Sequence, residues 1–183
     1  MPGVYLTSED MVGHRQVEDK RRRGAFEGLQ DRHLPVGDYH DSSRMRTADI
    51  RMTLRPFHPD DAETILSWCK DKHAFRLWSA DRYKDFPAKP EEMLRQYEGQ
   101  NLHPLTAISD DIIIGHILLR YPSEDKTVIR FGFVIVDDLK RGKGYGKQML
   151  RLAIDYALLE LRVKCITLGV FCDNSTAVDV TNQ

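Results

Sequence analysis

The chain has 183 residues, 41% of them hydrophobic and 30% charged, with a formal net charge of −1. That length predicts one domain with a sizeable core, and the near-zero charge argues against bulk binding to nucleic acid or an anionic membrane. No apolar run approaches the roughly 20 residues of a membrane span and no apolar signal region follows Met1. The three cysteines, Cys69, Cys165 and Cys172, show no metal-ligand spacing. They read as reduced thiols of a cytoplasmic protein, and no metal site is expected.

Residues 1–49 scatter their apolar side chains singly among charges of both signs, at neither helical nor strand period. Such a segment buries too little apolar surface to offset its ordering entropy and is expected to be largely disordered. Lys20-Arg21-Arg22-Arg23 lies among Glu18, Asp19 and Glu27 and reads as a solvated charge cluster. Met45 or Met52 would begin the globular pattern cleanly, so the segment also reads as an extension outside the native protein. The domain is expected over residues 50–183.

From Met52 the signals sharpen. Met52-Thr53-Leu54-Arg55-Pro56-Phe57 alternates and ends at a turn, a strand. Asp60 with Glu63 three residues on has capping-box spacing, and Ile65, Leu66, Trp68 and Cys69 continue at helical intervals, with Trp68 as core. A second short helix runs through Ala74, Phe75, Leu77 and Trp78. Pro90, with Glu91 and Glu92 in the first turn, opens a third through Met93, Leu94 and Tyr97.

The period then changes from helix to strand. Leu105–Ile108, Ile112–Leu119 and Val128–Val136 are strands joined by short turns at Ser109-Asp110-Asp111 and Tyr121–Lys126, an antiparallel meander. Met149, Leu150, Ala153, Ile154, Ala157, Leu158 and Leu161 repeat at three and four residues as an amphipathic helix, and Lys164–Phe171 is a further strand. A strand–helix–strand unit of this length requires a right-handed crossover and parallel pairing. The fold class is therefore α+β: a mixed sheet built from a meander and one parallel βαβ unit, with helices on both faces.

Between the third meander strand and the long helix lies Asp137-Asp138-Leu139-Lys140-Arg141-Gly142-Lys143-Gly144-Tyr145-Gly146-Lys147. Three alternate glycines allow backbone N–H groups to face one concavity, the helix adds its own N–H groups and positive dipole end, and Arg141, Lys143 and Lys147 add charge. This is a site for a phosphate-bearing ligand. A P-loop needs four residues between its first Gly and the Gly-Lys, then a hydroxyl; here three separate Gly142 from Gly146, and Gln148 stands where the hydroxyl belongs. A dinucleotide loop needs G-x-G-x-x-G early in a parallel repeat. The glycines here run G-x-G-x-G behind a meander, so both loops fail. A glycine turn without ligand would cost helix stability with no return.

Arg141-x-x-Gly144-x-Gly146, preceded by Val134-Ile135-Val136-Asp137 and followed by an amphipathic helix, resembles the acyl-CoA-binding motif of the GNAT superfamily of N-acetyltransferases. The resemblance covers about Met52 to Asn174 in the family's order, and Thr53-Leu54-Arg55-Pro56 with Asp60-Asp61-Ala62 resembles its first strand and helix. It implies a GNAT-like fold and transfer of an acetyl group from acetyl-CoA to a primary amine, of a small molecule or a protein N-terminus, by direct attack. It places the pyrophosphate on Arg141, Gly142, Lys143, Gly144, Tyr145, Gly146 and Lys147, and the pantetheine arm along Val134, Ile135 and Val136. The resemblance also implies Asn174 as a further cofactor contact. A backbone N–H at Val134 or Ile135 would hold the developing oxyanion.

The family's closing pattern is not matched: Asn174 and Ala177 stand in step, but Thr181 occupies the place of the family's tyrosine acid, and the two closing strands are missing. The last parallel strand is then expected as an unprotected edge carrying Ile166, Leu168 and Val170, open to a homodimer. This reads as a truncated or frameshifted product, with acyl-CoA binding without catalysis as the alternative function. No catalytic residue is assigned. His116 sits on a strand and reads as a packed or solvent-facing side chain rather than as the base; a relayed water or a backbone carbonyl stays open. Trp78-Ser79-Ala80-Asp81-Arg82-Tyr83 is the candidate acceptor-contacting loop.

Overall fold

The structure, a computed structural model, describes residues 29–34 and 51–171. In chain order these form β1 (Leu29–Leu34), β2 (Met52–Pro56), α1 (Asp61–Ser67), α2 (Lys72–Ser79), α3 (Pro90–Gln96), β3 (Leu102–Ser109), β4 (Ile112–Arg120), β5 (Val128–Val136), a 3-10 turn (Asp138–Lys140), α4 (Tyr145–Leu159) and β6 (Cys165–Phe171). One six-stranded sheet has the order β1-β6-β5-β4-β3-β2. β2 to β5 pair antiparallel in sequence, and β5 pairs parallel with β6 across the α4 crossover. The α+β class, the meander and the βαβ unit stand as read from the sequence.

Two cores sandwich the sheet. Met149, Ala153 and Ala157 of α4, spaced by four residues and fully buried, pack on Ile129, Phe131 and Ile166. On the opposite face Ile65, Phe75 and Met93 from the three short helices pack on Leu118, Phe133 and Ile135. Gly115 lets α4 approach: a Cβ there would lie 2.7 Å from Met149 Sδ and 3.1 Å from the Ile135 carbonyl oxygen. The β3–β4 hairpin turns through Asp110 and Asp111, both left-handed at φ 49° and 62°, a conformation that aspartate tolerates and tight hairpins require.

Two expectations are corrected. The edge at Ile166, Leu168 and Val170 is not open: β1 pairs antiparallel with it from Leu29↔Phe171 to Leu34↔Ile166. Six residues of the segment read as disordered thus form a strand, and the reasoning that opened this edge to a second copy loses its premise. The other residues before 51, and everything after 171, lie outside the described residues, including Asn174, Ala177 and Thr181. The Asp60–Glu63 capping box is also absent. Asp60 makes no side-chain cap bond; the buried Asp61 carboxylate instead accepts from the His58 N–H at 2.9 Å.

Candidate functional site

β5 does not run straight into the glycine turn. His116 of β4 pairs with Ile135 and Leu118 with Gly132, so β5 uses one more residue than β4 over the same interval. The extra residue bulges the strand, and Phe133 within it takes φ 51°. The bulge reverses which face each side chain meets: Ile129 and Phe131 belong to the α4-side core, Phe133 and Ile135 to the opposite one. A bulge also breaks the ladder locally and turns backbone groups out of it.

The other edge of β5 opens at the same level. Its ladder with β6 covers Val128↔Cys165 to Phe131↔Leu168, and among the described residues no pair continues it from Gly132 onward. β5 therefore stops pairing with β6 among the described residues at Gly132, two residues before Val134. Backbone in such a slot offers an extended ligand the hydrogen bonds of an added strand. Val134 and Val136 are half-buried and Ile135 is buried.

The turn that follows is held from within. The Asp137 carboxylate accepts from the Leu139 N–H at 3.0 Å, the Lys140 N–H donates to the Asp137 carbonyl at 2.9 Å, and Arg141 Nε donates to the Val136 carbonyl at 3.3 Å. Gly142 (φ 74°) and Gly144 (φ 86°) are both left-handed, which side chains disfavour. The first backbone bond of α4 runs from the Gln148 N–H to the Gly144 carbonyl at 3.1 Å, and no side chain caps the helix. The N–H groups of Tyr145 and Gly146 thus have no acceptor inside the helix, and the dipole adds positive potential there. A Cβ on Gly142 would meet nothing within 4 Å, so the concavity is open. Arg141, Gly142, Lys143, Gly144 and Lys147 are exposed around it, with Tyr145 and Gly146 half-buried. The residues fit a pyrophosphate: amides, a helix end and three cations on one short turn. The structure brings together ten of the eleven binding residues read from the sequence; Asn174 lies outside the described ones.

Titratable groups near this site are mostly committed elsewhere. His116 is fully buried, its Nε2 2.6 Å from the Tyr97 hydroxyl and its ring stacked on Tyr97 at 5.4 Å. Burial pushes its pKa down to about 3, against smaller opposing effects of the Asp61 carboxylate and the Leu105 carbonyl. It is neutral at physiological pH and packed, one of the two placements the sequence left open. Burial likewise pushes the Cys69 thiol up to about 11, although Arg141 is close enough to pull the other way. Burial also raises the Cys165 thiol. Neither described thiol is a nucleophile at neutral pH. Among the described residues no cluster of three or more His, Cys, Asp or Glu could hold a metal, and no helix is long and apolar enough to cross a membrane.

The acceptor-side reading changes in detail. Trp68 is core, 5% exposed at the end of α1. Trp78 and Ser79 are not loop residues; they lie inside α2 and are buried, and the loop begins at Ala80. Phe133 carries the feature the sequence reading missed. Its signal was Gly132, an isolated glycine inside an otherwise bulky strand, which marks bulges.

The chain's residues 51–182 match the family model described as "Acetyltransferase (GNAT) domain". Among solved structures, the spermidine N-acetyltransferase of Vibrio cholerae in complex with CoA and spermine is similar at TM-score 0.61 and 20% identity. That match covers 72% of this chain and 78% of the other. A chimera of the Vibrio cholerae enzyme with hSSAT matches at TM-score 0.58 and 20% identity, over 72% and 77% of the two chains. A structure titled as a probable acetyltransferase matches at TM-score 0.58 and 20% identity, over 72% and 76%. A comparison with curated protein sequences gives no significant match.

Proposed function

Because the chain belongs to the GNAT acetyltransferase family, whose model spans residues 51–182, we propose that it transfers the acetyl group of acetyl-CoA to a primary amine by direct attack. The observation that carries this reading is the bulge at Phe133 in β5, at the level where β5 leaves β6 and just before the uncapped start of α4. These features align a phosphate cradle, a slot for an extended arm and a break in the ladder along one line.

In this reading the amides of Gly142 to Gly146, with Arg141, Lys143 and Lys147, hold the pyrophosphate. Val134 to Val136 bind the pantetheine arm edge-on. An N–H of Val134 or Ile135, freed by the bulge, donates to the thioester oxygen and stabilises the oxyanion as it forms. The amine nitrogen forms the new C–N bond, the C–S bond breaks, and the thiolate leaves to take a proton. An alkylammonium resembles lysine, with a pKa near 10.4, so it must lose a proton before attack. His116 is not the group that takes it, being buried and neutral. The raised thiols of Cys69 and Cys165 favour direct attack over an acyl-cysteine relay.

The test is amine-dependent release of free thiol from acetyl-CoA, with mass spectrometry of the acceptor. Spermidine, named in the neighbours' descriptions, is the first acceptor to assay, followed by other alkylamines and peptides with free N-termini. The expected result is a gain of one acetyl group on at least one primary amine. Binding of acetyl-CoA with no transfer to any of these acceptors would overturn it in favour of a binding protein.

A further inference from the structure

The left-handed backbone of the β5 bulge falls on a residue poorly suited to it. A bulky side chain at positive φ is costly, and a bulge that needs this conformation ordinarily places a glycine there. Gly132 stands immediately before Phe133, yet Gly132 takes no positive φ and Phe133 takes φ 51°. A Cβ on Gly132 would meet nothing within 4 Å, so no close approach requires that glycine either. A conformation of this cost persists only where its surroundings over-determine it.

Those surroundings act on the Phe133 ring. Trp78 of α2 and Tyr83, in the segment after it, stack on each other at 6.0 Å and 14°. The Phe133 ring stands nearly perpendicular to both, 5.5 Å and 89° from Trp78 and 6.2 Å and 81° from Tyr83. Tyr97, the C-cap of α3, meets it at 6.3 Å and 87°, and the Arg82 guanidinium lies 6.0 Å from its centroid. Perpendicular aromatic pairs and a cation over a ring are each favourable beyond the area they bury. Tyr97 is itself fixed. Its hydroxyl bonds to Nε2 of the fully buried His116 at 2.6 Å, and His116 pairs with Ile135 where the β4–β5 register slips. Returning Phe133 to extended backbone would swing its Cα–Cβ bond and withdraw the ring from all four neighbours.

Resting on the acetyl-transfer reading, we infer that Phe133 is a positioning residue for the transfer, and that Trp78, Tyr83, Tyr97 and Arg82 act through it. Their hold on the ring keeps the bulge in place, and the bulge keeps the N–H of Val134 or Ile135 turned out of the ladder towards the thioester oxygen. The donor that meets the developing oxyanion is thus aimed by side chains of the α2–α3 layer, not by the β5 ladder alone.

The experiment is infrared difference spectroscopy of acetyl-CoA, isotopically labelled at its carbonyl, bound to the wild type and to Phe133→Leu, which stays apolar and loses the ring. In the wild type the carbonyl band is expected to move to lower frequency on binding. In Phe133→Leu most of that displacement should be lost, while CoA affinity stays unchanged and reports an intact fold. The kcat for amine acetylation should fall by about tenfold or more at unchanged KM for acetyl-CoA, the loss expected of a misaimed oxyanion donor. Tyr83→Leu removes one wall and leaves β5 as it is; it should lose part of the displacement, and it decides the matter if Phe133→Leu does not fold. An unchanged displacement in Phe133→Leu, or in Tyr83→Leu should the first not fold, would overturn the positioning role and leave the acetyl-transfer reading standing. A displacement lost with the ring, but no amine acetylated by the wild type, would overturn the transfer reading and leave the aimed donor standing. No displacement in the wild type would overturn the inference.

Discussion

Asp61 carries a buried negative charge that four donors hold in place. Arg55 reaches it with two nitrogens at 2.6 and 2.7 Å, the Thr106 hydroxyl at 2.8 Å and the His58 N–H at 2.9 Å. Burial alone would raise its pKa; Arg55, His58 and Thr106 outweigh it and keep the carboxyl below the usual range. A folded pKa below the unfolded value means a contribution fully present above about pH 4 and lost as pH falls through the folded value. Asp61→Asn should therefore cost about 2–4 kcal/mol near neutral pH and flatten the acid limb of stability against pH. Urea unfolding across the acid range checks this, and an unchanged acid limb would contradict it. At Gly115 the close approach is the issue: Met149 can swing aside from an added methyl, but the Ile135 carbonyl cannot. Gly115→Ala should cost about 1–3 kcal/mol, read as a lower urea midpoint. Cys69→Ala tests direct attack: acetyl transfer should stay within about twofold, and a loss of about tenfold would point to a thiol relay.

The elements show which local signals decide a fold and which do not. Pro90 with Glu91 and Glu92 marked the start of α3 to the residue, because a proline at a helix start needs no tertiary help. Val128–Val136 was likewise legible as β5, and the glycines after it as a turn into a helix, since both rest on backbone preference. Asp61 was not legible. Asp60 and Asp61 are chemically alike in sequence, and only the distant Thr106 on β3, opposite Arg55 in the ladder, makes Asp61 the committed one. The bulge was half-legible, since Gly132 flagged it but the register with β4 locates it. β1 was invisible, because Leu29–Leu34 has no strand pattern of its own and acquires one from β6. Removing residues 1–34 should expose the Ile166–Phe171 edge and shift the protein to oligomers or aggregate in size-exclusion chromatography. A truncated chain that stays monomeric and soluble would contradict the pairing.

At the scale of the whole molecule, one discontinuity organises function. α4 packs on one face of the sheet and the three short helices on the other, and the buried side chains of β5 pass from the first core to the second at its bulge. There it changes face, parts from β6 and ends in a turn whose amides and helix end are open to an anion. In the proposed reading, the phosphate cradle and the acceptor side meet at this bulge from opposite directions. The most direct measurement of this account is calorimetric titration of CoA into the wild-type protein and Gly144→Asp. The substitution places a β-carbon on a left-handed residue and a negative charge at the head of α4. Saturable CoA binding is expected of the wild type, and affinity lowered by at least about a hundredfold in the variant, with the far-ultraviolet spectrum retained. Equal CoA affinity in the two proteins would contradict it.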